Sequence, residues 1–150
     1  MRHSSRSLEF DLARVLLVDD DPTSRLTLKT VLEAGGYAVD SAASGAEAVG
    51  KLEEGEYELV LSDLAMESPK AGLKVLAHAR MMEYKPATAL LTCYQNSRPG
   101  PARRSNSMLI KPEDLPGLLS KVADLISERA TRRLERQLRL SDRPLRIANA

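Results

Sequence analysis

The sequence predicts an α/β domain built on a parallel five-stranded sheet with helices wound on both faces. Three observations carry this. Short apolar runs recur along the chain, segments with helical spacing separate them, and acidic or other polar residues follow the runs directly. Val15-Leu16-Leu17-Val18 is continuous, branched and apolar, as expected of a strand buried on both sides of a parallel sheet. Asp19-Asp20-Asp21 ends it, and Pro22 suits the first turn of a helix whose stripe is Leu28, Val31 and Leu32. Gly35-Gly36 is a natural stop for that helix.

Tyr37 to Ala42 reads as the second strand. Ser44-Gly45-Ala46-Glu47 fits a capping box that opens a helix carrying Ala48, Val49 and Leu52. Tyr57 to Ser62 is the third strand and Asp63 closes it. After the loop from Glu67 to Ala71, Leu73, Val75, Leu76 and Ala79 mark another helix. Pro86 to Leu91 is the fourth strand. Between Thr92 and Ser107 the run Pro99-Gly100-Pro101 opposes a regular helix, so the fourth helix is expected to be degraded. Met108-Leu109-Ile110 is a short fifth strand. Pro112 opens the last helix, with Leu115, Leu118, Leu119, Val122, Leu125 and Ile126 on one face.

The overall charge is nearly balanced, with 22 Lys and Arg against 21 Asp and Glu, but its distribution is uneven. Residues 1–97 hold 10 basic and 15 acidic side chains, whereas residues 98–150 hold 12 and 6. An acidic site and a basic surface or tail are therefore expected. The single Cys93 excludes an internal disulfide. No run approaches the ~18 apolar residues of a membrane span, and Met1 to Asp11 lacks the apolar middle of a signal peptide. A cytoplasmic location without membrane contact is expected.

Ligand sites of open α/β sheets lie beyond the carboxyl ends of the strands. Asp19 and Asp20 follow strand one, Asp63 follows strand three, Thr92 follows strand four and Lys111 follows strand five. Unit charges ~4 Å apart repel by about 4 kcal/mol at an effective dielectric near 20. A hard cation such as Mg²⁺ relieves that repulsion through oxygen ligands. With the Lys111 ammonium and the Thr92 hydroxyl, the set suits phosphoryl transfer to a carboxylate nucleophile.

Val15-Leu-Leu-Val-Asp-Asp-Asp-Pro22, Leu59-Val-Leu-Ser-Asp-Leu-Ala-Met66, Leu90-Leu-Thr92 and Ile110-Lys-Pro112 resemble, in order, the four signatures of the response regulator receiver domain. The resemblance covers roughly residues 13 to 127. It implies a CheY-like, flavodoxin-like (βα)5 sandwich with strand order 2-1-3-4-5. It further implies that Asp63 accepts a phosphoryl group from a histidine kinase or phosphotransfer protein. Asp20, Asp63 and the backbone carbonyl of Ala65 would bind Mg²⁺ directly, with Asp19 acting mainly through a water. Lys111 would pair with the phosphoryl oxygens, and Thr92 would serve as the switch. On this reading the chain is a signalling phospho-acceptor of a two-component pathway or phosphorelay, catalysing only its own phosphoryl transfer and dephosphorylation.

Glu67 stands where the family usually has Pro, and Met108 where many members carry an aromatic. Together with the altered stretch from Thr92 to Lys111, these changes fall on the output side and leave the acidic site alone. Residues 1–12 read as a polar leader, 13–127 as the receiver, and 128–150 as a basic helical extension and tail, with no output domain expected. From Ser127 to Leu140 the helix continues. Glu128 and Arg132, and Glu135 and Arg139, have favourable i, i+4 spacing. Ile126, Ala130, Leu134 and Leu138 recur every four residues, while Arg129 and Arg133 interrupt a heptad seam. This region could hold a second copy or a partner protein. It carries no helix-turn-helix or stacking platform for nucleic acid.

Two rivals remain at this stage. One is a pseudo-receiver that binds without phosphorylation. The other is a haloacid-dehalogenase-like phosphatase using Asp19-x-Asp21-x-Thr23, which leaves Asp63 unexplained.

Overall fold

The structure, a computed structural model, describes residues 12–64, 66, 68–91, 108–110 and 115–149, with backbone alone for 108–110 and 141–149. Five parallel strands form one sheet: β1 (Arg14–Val18), β2 (Ala38–Ala42), β3 (Leu59–Asp63), β4 (Ala87–Leu91) and β5 (Met108–Ile110). Their order is β2-β1-β3-β4-β5, as expected. The helices are α1 (Pro22–Ala34), α2 (Gly45–Glu54), α3 (Ala71–Arg80) and α4 (Leu115–Asn149). Residues 92–107, on which the expectation of a degraded fourth helix rests, lie outside the described residues.

Strand alternation sorts the core into two layers. Val15 and Leu17 of β1, with Leu59 and Leu61 of β3, face Leu28 and Leu32 of α1 and Leu118, Val122 and Leu125 of α4. Leu16, Val18, Val60 and Leu90 point the other way, toward Ala48 and Leu52 of α2 and Val75, Leu76 and Ala79 of α3. Both faces of the central strands are therefore dry, which is why their sequences are continuously apolar rather than alternating.

The helix ends follow the expected chemistry. Asp21 caps α1, its Oδ2 accepting from the Ser24 N–H at 2.8 Å, with Pro22 in the first turn. Gly36, at φ +100°, makes the left-handed exit that glycine allows. At α2 the Ser44 hydroxyl accepts from the Glu47 N–H at 3.1 Å, while the Glu47 carboxylate takes the N–H of Ala43 at 2.8 Å. The capping box thus closes one residue further out than its usual form.

The last helix is extended to 35 residues, about 52 Å at ~1.5 Å per residue. It packs on the domain as far as Arg129, and residues 131–140 are all exposed. The spacing of Glu128 with Arg132 and of Glu135 with Arg139 does not produce ion pairs. The i, i+4 ion pair found among the described residues is Lys29–Glu33, at 2.9 Å. On a fully solvated helix the Coulomb gain is screened and does not repay the ordering of two long side chains.

Candidate functional site

β1 and β3 are neighbours in the sheet, with Val18 opposite Ser62, so the residues that follow them meet at the same edge. They also sit where the chain path reverses across the sheet, the place where open α/β folds bind ligands. Ligand oxygens of Asp19, Asp20 and Asp63 lie within 4.8 Å of one another. Asp19 is buried, Asp63 half-buried and Asp20 exposed, which makes a graded opening to solvent.

Two of the three acids, Asp19 and Asp63, are held by backbone. The Asp19 Oδ1 accepts from the Asp21 N–H at 3.0 Å, and the Asp19 N–H donates to the Ala42 carbonyl at 3.1 Å. The Arg25 guanidinium donates to the Asp19 backbone carbonyl at 2.8 Å, holding the start of α1 against the end of β1. Asp63 Oδ1 accepts from the Leu64 N–H at 2.9 Å; no hydrogen bond from the described residues engages its second oxygen. Asp21 is occupied by its helix cap and does not join the cluster.

The site is electrostatically frustrated. Burial pushes the Asp63 carboxyl up to about 6, with the Asp19 charge adding to it, the Leu64 N–H opposing, and Asp20 and Asp21 raising it further. None of the three site acids forms an ion pair among the described residues. Three convergent carboxylates, all oxygen donors, at least two of them open to solvent, fit a hard divalent cation. The residues present therefore match the Mg²⁺ expected from the sequence.

Thr92, Lys111 and Ala65 lie outside the described residues. The backbone on either side runs to the same edge: Asp63 pairs with Leu91, and Leu91 with Ile110.

Sequence reasoning missed one residue of this site. Gly72, the second residue of α3, has no room for a side chain: an added Cβ would fall 2.1 Å from the Asp63 carbonyl oxygen. Its N–H donates to the Leu64 carbonyl at 2.9 Å, so α3 grips the main chain at Asp63 and Leu64. A glycine inside an otherwise good helix was the available signal.

At the opposite end of the sheet, Arg14 lies across Tyr57, 4.7 Å from the ring centroid, and pairs with Asp40 at 2.8 Å. The Tyr57 hydroxyl donates to the same Asp40 oxygen at 2.7 Å. Burial works against the Asp40 charge, yet Tyr57, Arg14 and Lys51 outweigh it and hold the carboxyl below its usual range. From α4, the buried Arg129 donates to the carbonyls of Lys85 at 2.9 Å and Tyr84 at 2.6 Å. It ties the helix to the loop before β4, where Lys85 takes φ 48°.

A family model described as the response regulator receiver domain matches residues 15–123. The transcriptional regulatory protein GlrR of Escherichia coli K12 is 32% identical over 121 residues, covering 79% of this chain and 27% of GlrR. This chain thus corresponds to little more than a quarter of that relative's length. The response regulator TrrA of Thermotoga maritima, solved in complex with Mg²⁺-BeF, is similar with TM-score 0.66 and 32% identity, covering 76% of this chain and 99% of TrrA. TrrA in complex with the histidine kinase ThkA aligns with TM-score 0.66 and 31% identity, over 76% of this chain and 98% of that one. Among the described residues no helix is long and apolar enough to cross a membrane.

Proposed function

The chain belongs to the response regulator receiver domain family, and from that premise we propose that Asp63 is its phospho-acceptor in a two-component or phosphorelay pathway. The observation that carries the proposal is the convergence of Asp63 with Asp19 and Asp20 at the carboxyl edge of the sheet. An Asp63 oxygen attacks the phosphorus of a phosphohistidine on a kinase or phosphotransfer protein. The new O–P bond forms as the P–N bond breaks, and the departing imidazole takes up a proton. The Leu64 N–H on Oδ1 and the Gly72 contact on the main chain orient the carboxylate for that attack. The complex of TrrA with ThkA supports a kinase as donor.

Asp20, Asp63 and the Ala65 carbonyl would hold Mg²⁺, with Asp19 acting through a water. When bound, the ion supplies charge neutralisation for the acids and the transferring oxygens. Lys111 takes the role of a second cation on the phosphoryl group and Thr92 that of the switch hydroxyl, on the resemblance alone. The protein turns over no separate substrate. It works in the cytoplasm and signals through altered protein contacts. The phosphatase rival gives Asp63 no task, whereas this reading uses all three acids.

Incubation with a small phospho-donor and Mg²⁺ tests the proposal by intact mass. One phosphoryl group should be gained by the wild type and none by Asp63→Asn. An undiminished gain in Asp63→Asn overturns it by placing the phosphoryl group on another residue, and no gain in the wild type overturns it in favour of the pseudo-receiver reading.

A further inference from the structure

α4 runs against the direction of the strands, so its exposed half passes the end of the sheet remote from the acids. There it forms one wall of a groove of about 480 Å³ whose lining includes Ala13, Ile126, Arg129, Arg133 and Leu134, with Glu58, which accepts the Arg14 N–H, on the opposite side from the arginines of the helix. The wall is apolar and basic at once. Leu134 and Leu138 are 56% and 59% exposed, and Arg132, Arg133, Arg136 and Arg139 lie on the same exposed stretch. None of these four arginines has an ion pair among the described residues.

Ala13 lies in the groove itself, and the chain that leads into it has the complementary pattern. Leu8, Phe10 and Leu12 alternate with Glu9 and Asp11. Leu12, the first described residue and the neighbour of Ala13 in the chain, is 49% exposed. In an extended chain such alternation puts the three apolar side chains on one face and the two acids on the other. Five extended residues span about 17 Å at ~3.3 Å each, enough to follow α4 from Ala130 to Gln137, about 10 Å at ~1.5 Å per residue.

We propose that residues 8–12 of this chain occupy the groove, with Phe10 against Leu134 and with Glu9 and Asp11 toward the arginines of α4. A second copy of α4 is a poorer occupant. Its exposed stretch from Arg132 to Leu140 holds four arginines against one glutamate, so like charges would meet in a symmetric pair. The leader brings acids and the only phenylalanine of the chain to a site one residue from its own attachment point. The cost of bringing the two together is therefore that of closing a very short loop.

The chain contains no tryptophan, so Phe10→Trp in the 150-residue chain is a unique reporter. Docking predicts blue-shifted emission and several-fold lower acrylamide quenching than in the same protein carrying Leu134→Asp. Leu134 is exposed and unburied by the core, so that variant should keep its circular dichroism and melting temperature. Arg133→Glu should weaken the protection, and Glu9→Lys with Asp11→Lys should restore part of it. Emission that is equally quenched with and without Leu134→Asp overturns the proposal. Protection that grows with protein concentration, together with a dimer mass in sedimentation, overturns it in favour of a second copy.

Discussion

The two ends of the sheet treat the same chemical group in opposite ways. At the amino end, Asp40 has a guanidinium and a phenol on one oxygen, and its carboxyl is held below the usual range. At the carboxyl end, Asp63 faces other acids and is pushed up to about 6. Burial opposes both charges, so what separates them is the company each keeps. The amino end contributes stability; the carboxyl end gives some up to keep a reactive carboxylate available for a cation and a phosphoryl group.

Gly72→Ala should break the contrast most severely. Its Cβ would collide with the Asp63 carbonyl, so α3 or the end of β3 must shift, at a cost of about 3 kcal/mol. The urea midpoint and Mg²⁺ affinity should fall together. Arg129→Ala should come next: it strips two carbonyls of a charged donor, a loss of about 2 kcal/mol, with phosphorylation of Asp63 largely retained. Arg129→Lys should recover only part of that, because one ammonium does not reproduce the guanidinium fork.

A smaller effect runs in the opposite direction. In the metal-free protein Asp63→Asn should raise stability at pH 7.5 by about 1 kcal/mol, allowing for solvent screening of a half-exposed group. The folded chain holds the Asp63 proton up to about pH 6, while the unfolded chain releases it from 3.8, so wild-type stability is lost as pH rises through that window. Below 3.8 the two proteins should melt alike, and Mg²⁺ should stabilise the wild type more than the variant. Smallest of all, Asp40→Asn should cost about half a kcal/mol near neutrality, given how exposed that pair is. Because the folded carboxyl lies below its ordinary value, that difference should be present above pH 3.8 and fade as the pH falls further. Thermal melts across pH would check both.

Much of the carboxyl end was legible because its logic is local. A buried strand ends, acids follow, and one sheet topology puts Asp19, Asp20 and Asp63 together. The Ser44 box was legible for the same reason. The amino end was not, since Arg14, Asp40, Tyr57 and Glu58 come from separate strands and their approaches, and no spacing links them. The Glu58 carboxylate accepts the Arg14 N–H at 2.7 Å, a long-range bond that no periodicity announces. Arg129 was read as a break in an apolar seam, whereas it is buried and bonded to the Tyr84–Lys85 loop. An arginine four residues after Leu125, on a face that otherwise packs, was the clue. Gly72 was missed because its role is a close approach to the Asp63 carbonyl, which no periodicity announces.

The Arg129 attachment also gives α4 a fulcrum. About 28 Å of helix, at ~1.5 Å per residue, extends from Ala130 to Asn149 beyond that point. A bend of about 5° just past the clamp sweeps the far end through about 2.5 Å, while the half packed on the sheet, before Arg129, stays in place. Displacements too small to disturb the core are thus magnified with distance, and the tip is where a neighbouring molecule would feel them first.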